Sequence, residues 1–464
     1  MKRKIYSKDW FWLFIAIVAF LVNQLPFLVD VRPVMYDEAW YGNTAYNFAQ
    51  GDGFLNTVVG TRGNSNFLLP LLTAGFMRLF GYSLLALRLP AVGCGVMSLV
   101  FLSLCMKQMH IGWKSQAMTL LLFVSLTIFN TIFRFGRPEC VAIMCTLGGI
   151  WFYLRYLDCE SWKNMLGMSV LVLLAGCAHP YALLLFGLLG IHLLVRTIKS
   201  KDKTGSMRLT LLVVAAMASV LAIMWVSNTY NGAEESYVRD RFSAKDIWLA
   251  VPVYFKEAFL SKTSLSFLPL LAILVIESLG EKKHRELVWA ALGVFLLFPF
   301  LFSTDLMMIG MGFDYVAVVG VVLTAPFLER VLLQKKRWVV FGFCAYCLGC
   351  LGISYYYNYV VKYEKANSVL AEELPSIIPE GSKVFGPIRQ WPMLMQTDYQ
   401  SDHSVFPIKD VEDYDYVILN SQDTAFYSTY DAFLPIDESR MELVYEKPTK
   451  QYGAVQVYKC KLKN

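Results

Sequence analysis

Long apolar runs alternate with short polar breaks along most of the chain. A spanning helix needs about 20 mostly apolar residues whose backbone hydrogen bonds close within the segment. Counted on that basis, about eleven runs are predicted to cross a membrane. The first seven run from Trp10 to Leu28, Leu84 to Met106, Ala117 to Phe133, Pro138 to Leu157, Met165 to Cys177, Tyr181 to Val195 and Leu209 to Ser227. Four more run from Leu265 to Leu279, Leu287 to Ser303, Phe313 to Leu332 and Val339 to Tyr357. The fifth and sixth are short enough to form one re-entrant pair flanking His179-Pro180. Between the first two runs, Glu38 to Gln50 sets Ala39, Ala45, Phe48 and Ala49 at helical spacings among Trp40, Tyr41 and Tyr46. This predicts a short helix lying in the interface, where aromatic rings prefer to sit. Phe67 to Phe80 is too short to span comfortably and is expected to lie along the surface too.

From about Lys362 the pattern becomes polar and mixed. Short apolar strands such as Tyr416-Val-Ile-Leu and Val455-Gln-Val-Tyr alternate with turn signals such as Pro379-Glu-Gly and Asn420-Ser. The fold class expected is therefore a polytopic α-helical membrane protein with a small C-terminal α/β extracytoplasmic domain. Residues 1–361 would form the membrane domain, with an outer loop at 29–66, and residues 362–464 the soluble domain.

Composition agrees with the pattern: 56% of residues are hydrophobic, 17% are charged, and the mean hydropathy is +0.47. The net charge of +6 divides unevenly, with −5 on residues 362–464 and +11 on the first 361. Cytoplasmic loops carry the Lys and Arg excess of a membrane protein. Lys2-Arg3-Lys4, the loop with Arg196, Lys199, Lys201, Lys203 and Arg208, then Lys282-Lys283 with Arg285, and Lys335-Lys336-Arg337 all fall on one side of an eleven-span chain. That places the N-terminus in the cytoplasm and the Asp37 loop, His179 and the C-terminal domain outside. The first run ends in Pro26-Phe-Leu-Val-Asp without a small-x-small site, so it reads as an uncleaved anchor rather than a signal peptide. The positive charge reflects topology and anionic lipid headgroups, and a nucleic-acid role is set aside. The ten cysteines carry no chemistry in this reading: Cys344, Cys347 and Cys350 recur at helical spacing with no His or carboxylate beside them, and only Cys460 lies in the C-terminal segment.

Specific signals gather on the expected outer side. They are Asp37-Glu38 with Tyr41 after the first run, Arg88-Leu-Pro opening the next, Arg137-Pro-Glu139 at the outer end of a later one with Arg134 nearby, and His179-Pro180 at an outer turn. In this order they resemble the C-type membrane glycosyltransferases of the protein mannosyltransferase and aminoarabinose transferase group, over residues 1–230 by motif and beyond that by architecture. The resemblance implies a sugar donor on a polyprenyl-phosphate carrier and a glycan, lipid or protein acceptor at the outer face of the membrane. It gives Asp37 the base role. Two departures limit the carry-over. The aminoarabinose transferases have an Arg two positions after the Glu and a Lys-Pro-Pro further on, whereas this chain has Trp40 and Asn64-Ser-Asn-Phe, so their phosphate and metal contacts do not transfer there.

The chemistry asks for little else. A lipid phosphate is a good leaving group, so inverting transfer needs a base for the acceptor hydroxyl and cations for the departing phosphate. Glu38 would orient the loop, bind the acceptor, or join Asp37 on a divalent cation such as Mg or Mn, the one cofactor considered. Arg134 and Arg137, charged within an apolar segment, are candidate phosphate ligands. His179, Tyr41 and Arg88 complete the candidate binding residues, although His179 would equally bond a backbone carbonyl freed near Pro180 and Arg88 would equally fix the start of its span. Arg239 and Arg241 could line the donor entrance of a long outer loop from Asn228 to Thr263. Two competing readings are a lipid-linked sugar flippase, which predicts inverted repeats and broken midplane helices, and a polysaccharide ligase or polymerase centred on that late loop. The expected location is a bacterial inner membrane.

Overall fold

The computed structural model describes residues 2–26, 28–30, 32–60, 66–200, 203–231, 244–260, 264–280, 284–301, 311–361, 364–401, 413–421 and 440–461. Each of the eleven apolar runs falls on helix. In chain order the helices are α1 (Lys2–Gln24), α2 (Tyr36–Gln50), α3 (Leu68–Phe80), α4 (Leu84–Gln108), α5 (Trp113–Ser125), α6 (Thr127–Ile132), α7 (Glu139–Asp158) and α8 (Trp162–Ala178). They continue with α9 (Ala182–Ser200), α10 (Lys203–Asn231), α11 (Ala244–Leu260), α12 (Ser264–Leu279), α13 (Arg285–Leu301), α14 (Met311–Leu333), α15 (Arg337–Tyr356) and α16 (Ala366–Ile377). Six of the described helices are long and apolar enough to cross a membrane: α4, α7, α9, α10, α14 and α15. The chain is an integral membrane protein.

The bundle buries most of α4, α7 and α14 and leaves most of α9, α10 and α15 only partly buried or exposed, as lipid-facing helices are. α7 packs on both α4 and α8, and α14 packs on α5, α12 and α13. Two expectations are corrected here. The run from Ala117 to Phe133 is broken, because Leu126 is extended (ψ 125°) between α5 and α6. The break is satisfied internally: Asn130 Nδ2 donates to the freed Val124 carbonyl at 2.9 Å, while its Oδ1 accepts from Asn23 and Gln24 at 3.0 Å each. The stretch from Asn228 to Thr263 is not all loop, since α11 lies within it. Its apolar residues are interrupted by Pro252, Lys256 and Glu257, which hides an amphipathic helix from a search for uninterrupted runs.

After α15 and a π-helical turn (Tyr357–Val361), α16 leads into a five-stranded sheet. The strands are β1 (Lys383–Gly386), β2 (Asp398–Ser401), β3 (Tyr416–Asn420), β4 (Met441–Thr449) and β5 (Gly453–Cys460), in the order β2-β1-β3-β5-β4. β1 runs parallel to β2 and β3, with Val384 opposite Tyr399 and Tyr416, and β5 runs antiparallel to β3 and β4. The C-terminal segment has one buried cluster of its own, built from Phe385, Tyr414, Val417, Leu419, Met441 and Cys460, and shares a second with the helices. Leu370, Leu374, Val384, Ile388, Trp391 and Ile418 share one buried cluster with Ala39, Ala45 and Ala49 of α2 and with Leu84 and Leu87 at the start of α4. The sheet therefore sits on the helix that carries the candidate site.

Candidate active site at the start of the second helix

The helix α2 forms because its first turn holds Asp37 and Glu38, which favour a helix N-terminus, and because Ala39, Ala45 and Ala49 follow on its buried face. It stops at Gly51, whose φ of 103° is the left-handed conformation glycine adopts readily, with its N–H bonded to the Asn47 and Phe48 carbonyls. Gly42 is needed for another reason. A Cβ there would meet Leu87 Cδ1 at 2.3 Å and Trp391 Cζ3 at 3.2 Å, so the helix lies pressed between α4 and the C-terminal segment.

Asp37 and Glu38 diverge. The Glu38 side chain has 0% exposure, and Arg88, equally enclosed, grips it with Nε to Oε1 and Nη2 to Oε2, both at 2.7 Å. The Gly136 N–H adds a third bond to Oε1 at 3.2 Å, and Glu38 Oε2 reaches back to the Met35 N–H at 3.3 Å. Arg88 Nη1 also donates to the Leu28 and Val29 carbonyls at 2.7 and 2.9 Å, and its guanidinium lies 5.4 Å from the Phe135 ring centroid. Arg88 thus faces protein on every side and positions α2, and its expected place among the substrate-binding residues gives way to that role. Both Glu38 oxygens are thereby engaged within the protein.

Asp37 is 43% exposed, and its Oδ2 lies 3.2 Å from Arg137 Nη2. The same nitrogen donates to Glu139 Oε1 at 2.6 Å. Tyr41, one turn on, accepts from Asn66 Nδ2 at 2.9 Å, and burial together with the Asp37 carboxylate raises its phenol pKa, keeping the O–H proton in place. His179 is buried at the turn between α8 and α9, edge-on to Tyr181 at 4.6 Å between ring centroids. Burial, helped by Arg137 and opposed by Glu139, lowers its pKa to about 4, so the ring is neutral near pH 7. Five buried polar atoms at this place lack a protein partner: Arg137 Nε, Glu139 Oε2, His179 Nδ1, Asn66 Oδ1 and Tyr315 Oη. A buried donor or acceptor left unpaired costs about 1–3 kcal/mol, so atoms in such a group are natural contacts for a polar ligand.

The structure thus brings Asp37, Tyr41, Arg137 and His179 together and places Arg134 elsewhere. Arg134 donates through Nε to Gln24 Oε1 at 3.0 Å and through Nη2 to the Asn23 carbonyl at 2.9 Å, anchoring the end of α1. Burial and the nearby Arg32 lower its pKa to about 10. Glu139 was visible in the motif but had no role assigned, while Asn66, Asp314 and Tyr315 were missed. Asp314 lies within electrostatic reach of Arg137 and Glu139, and a carboxylate inside the apolar run from Phe313 to Leu332 was the signal that could have found it. Arg239 and Arg241, together with Lys201, Lys282 and Lys283 of the basic clusters, lie outside the described residues.

A divalent cation held by the Asp37-Glu38 pair does not fit this geometry, because both Glu38 oxygens are taken by Arg88 and by backbone N–H groups. Among the described residues no group of three or more His, Cys, Asp or Glu side chains converges.

A sequence profile for a domain of unknown function (DUF6311) matches residues 87–266. Among curated proteins, none matches this chain. Solved structures are more informative. ArnT from Cupriavidus metallidurans bound to undecaprenyl phosphate superposes with a TM-score of 0.62 at 14% identity, covering 97% of this chain and 97% of ArnT. Its apo state superposes with a TM-score of 0.60 at the same identity and coverage. The Saccharomyces cerevisiae protein O-mannosyltransferase Pmt1-Pmt2 complex bound to its sugar donor covers 48% of this chain at a TM-score of 0.35, too low to bear on the fold. From its first helix to its C-terminal sheet, the chain has the fold of ArnT, as the order of motifs from Asp37 to His179 implied.

Proposed function

We propose that this chain is a membrane glycosyltransferase that moves a sugar from a polyprenyl-phosphate carrier to a hydroxyl acceptor at the outer face of the membrane, with Asp37 as general base. The observation that carries the reading is the pairing of a half-exposed Asp37 with an Arg137 whose Nε has no protein partner, on a fold shared over its whole length with a protein that binds undecaprenyl phosphate. The acceptor oxygen attacks the anomeric carbon as the bond from that carbon to the phosphate oxygen breaks. Asp37 takes the acceptor proton, and Arg137 stabilises the charge gathering on the departing phosphate. The Arg137 pKa is raised by Glu139 and Asp37 against the effect of its burial, so it stays cationic throughout. His179, neutral, offers a hydrogen bond to a sugar hydroxyl.

In this reading the Asp37 face is extracytoplasmic, the N-terminus is cytoplasmic and the membrane is the bacterial inner membrane. Donor and acceptor are identified together by mass spectrometry of the lipids and glycans that change when the chain is absent. The decisive variant is Asp37→Asn, which removes the base with little change of volume. It should lower product formation at least about 10²-fold while insertion and abundance hold. Transfer at the normal rate by Asp37→Asn refutes the base assignment, and labelling that locates residue 37 in the cytosol refutes the whole reading.

A further inference from the structure

The described residues just before Asp37's helix form no helix or strand of their own, yet Leu28, Asp30 and Val34 among them are buried. Such a stretch holds one shape only where its polar groups find partners. Here the partners come from the far end of the chain. Tyr452, in the turn between β4 and β5, is 1% exposed; its hydroxyl accepts from the Val34 N–H at 2.8 Å and donates to Asn367 Oδ1 at 2.6 Å. Asn367 Nδ2 in turn donates to the Val29 carbonyl at 2.5 Å and the Arg32 carbonyl at 2.8 Å. Gln451 Nε2 donates to the Asp30 carbonyl at 2.7 Å. The Asp30 carboxylate accepts from the Ser368 N–H at 2.8 Å and the Ser368 hydroxyl at 2.5 Å. Arg88 meets the same stretch from below at Leu28 and Val29, so the Val29 carbonyl is held from both sides.

We infer that Tyr452, with Asn367 and Gln451, is a positioning residue for the reaction: the C-terminal segment clamps the stretch from Val29 to Val34 and thereby fixes the first turn of α2, on which Asp37 sits. The inference rests on Asp37 being the reacting carboxylate. The path is short, since only Met35 and Tyr36 separate the clamped Val34 N–H from Asp37. Catalytic groups must be held close to their productive geometry, and a helix start tethered at one end only would not hold a carboxylate there. The C-terminal sheet is therefore part of the catalytic scaffold, in addition to anything it does for an acceptor.

The test uses the full chain in lipid nanodiscs, and three readouts. Tyr452→Phe keeps the buried ring and removes the two hydrogen bonds. Hydrogen exchange of the 28–36 peptide should accelerate about ten-fold, product restored to cells lacking the chain should fall at least ten-fold per folded protein, and affinity for the probe undecaprenyl phosphate should stay within two-fold. Glu373→Gln is the control, because the Glu373 carboxylate bonds Tyr445 and Lys447 within the C-terminal segment and makes no hydrogen bond to the described residues of 28–37. It should leave all three readouts within two-fold. If Tyr452→Phe does not accumulate folded, Gln451→Met, which removes the donor to the Asp30 carbonyl and its weaker contact to the Glu364 carbonyl, should give the same pattern with smaller changes. Faster exchange with unchanged product formation overturns the inference, as does equal loss in Tyr452→Phe and Glu373→Gln. The two readings fail separately. A dead Asp37→Asn with a fully active Tyr452→Phe refutes the clamp and keeps the base, whereas a fully active Asp37→Asn refutes the base whatever Tyr452→Phe does.

Discussion

Replacing Glu38 with glutamine should destabilise the protein more than any other single change in α2. Both members of the Glu38–Arg88 pair have fully enclosed side chains, joined by two charge-assisted bonds of 2.7 Å. The glutamine would offer an amide nitrogen to a guanidinium nitrogen, donor against donor, and would leave the Arg88 charge without a counter-ion. Breaking a buried pair from one side costs about 3–5 kcal/mol. Arg88→Met should cost a similar amount, about 3–5 kcal/mol, because it strands the Glu38 carboxylate and also removes the donor to the Leu28 and Val29 carbonyls. The double variant leaves no buried charge, so its loss should fall short of the summed single losses by about 2 kcal/mol. Unfolding in mixed micelles across the four proteins measures that coupling. A coupling below about 0.5 kcal/mol, with additive losses, would show that the two side chains do not act as a unit and would remove the account of how α2 is held.

Arg137→Ala should weaken binding of undecaprenyl phosphate about ten- to hundred-fold, as the loss of a charge-assisted contact implies, and unchanged affinity would rule out Arg137 as the phosphate ligand. His179 sets an acid limit on stability. Its folded pKa is about 4 against an ordinary 6.5, so as pH falls from about 6.5 to 4 the unfolded chain takes up a proton that the folded chain refuses, and stability drops by up to about 3 kcal/mol. His179→Gln should lose correspondingly less stability than the parent between pH 7 and pH 4.5, and equal losses in the two proteins would contradict the burial argument. Gly42→Ala should cost about 1–3 kcal/mol, because the new methyl group overlaps Leu87 and crowds Trp391, and a stability equal to the parent's would show that the Leu87 side chain or α2 itself yields to it.

Most of the helical framework was legible because apolar runs of spanning length have few alternatives: each of the eleven overlaps helix, although one is broken at Leu126 and six of the described helices are long and apolar enough to cross a membrane. The failures have particular causes. The break at Leu126 depends on Asn130 meeting Asn23 and Gln24 more than a hundred residues earlier in the chain, which no local pattern encodes. α11 was hidden by its amphipathic sequence around Pro252. At the site, motif order named Asp37, Tyr41, Arg137 and His179, which the structure brings together, while the partner of Glu38 was assigned a different task. Arg88 stood in a recognised motif, but the fact that it turns toward Glu38, across 50 positions of sequence, belongs to the packing of α2 on α4. Asn66 was read only as a departure from the family pattern, and the structure gives it a place against Tyr41.

The divergence of two adjacent carboxylates follows from helix geometry. Successive side chains on an α-helix point about 100° apart, so when one of the first-turn acids turns inward its neighbour must face out. In a loop both could have faced a common cation or both faced water. On α2 the inward acid, Glu38, takes up Arg88 and two backbone N–H groups, and this fixes the rotation of the helix about its axis. That rotation in turn fixes where Asp37 points, within 3.2 Å of Arg137. The buried pair and the exposed Asp37 carboxylate are thus one device. Glu38→Asp tests it directly: a carboxylate shortened by one methylene keeps the charge but must draw α2 toward Arg88 to keep both bonds. Product formation should fall although the ion pair persists, with stability closer to the parent than that of Glu38→Gln. Full activity in Glu38→Asp would mean that the orientation of Asp37 does not depend on how Glu38 is held.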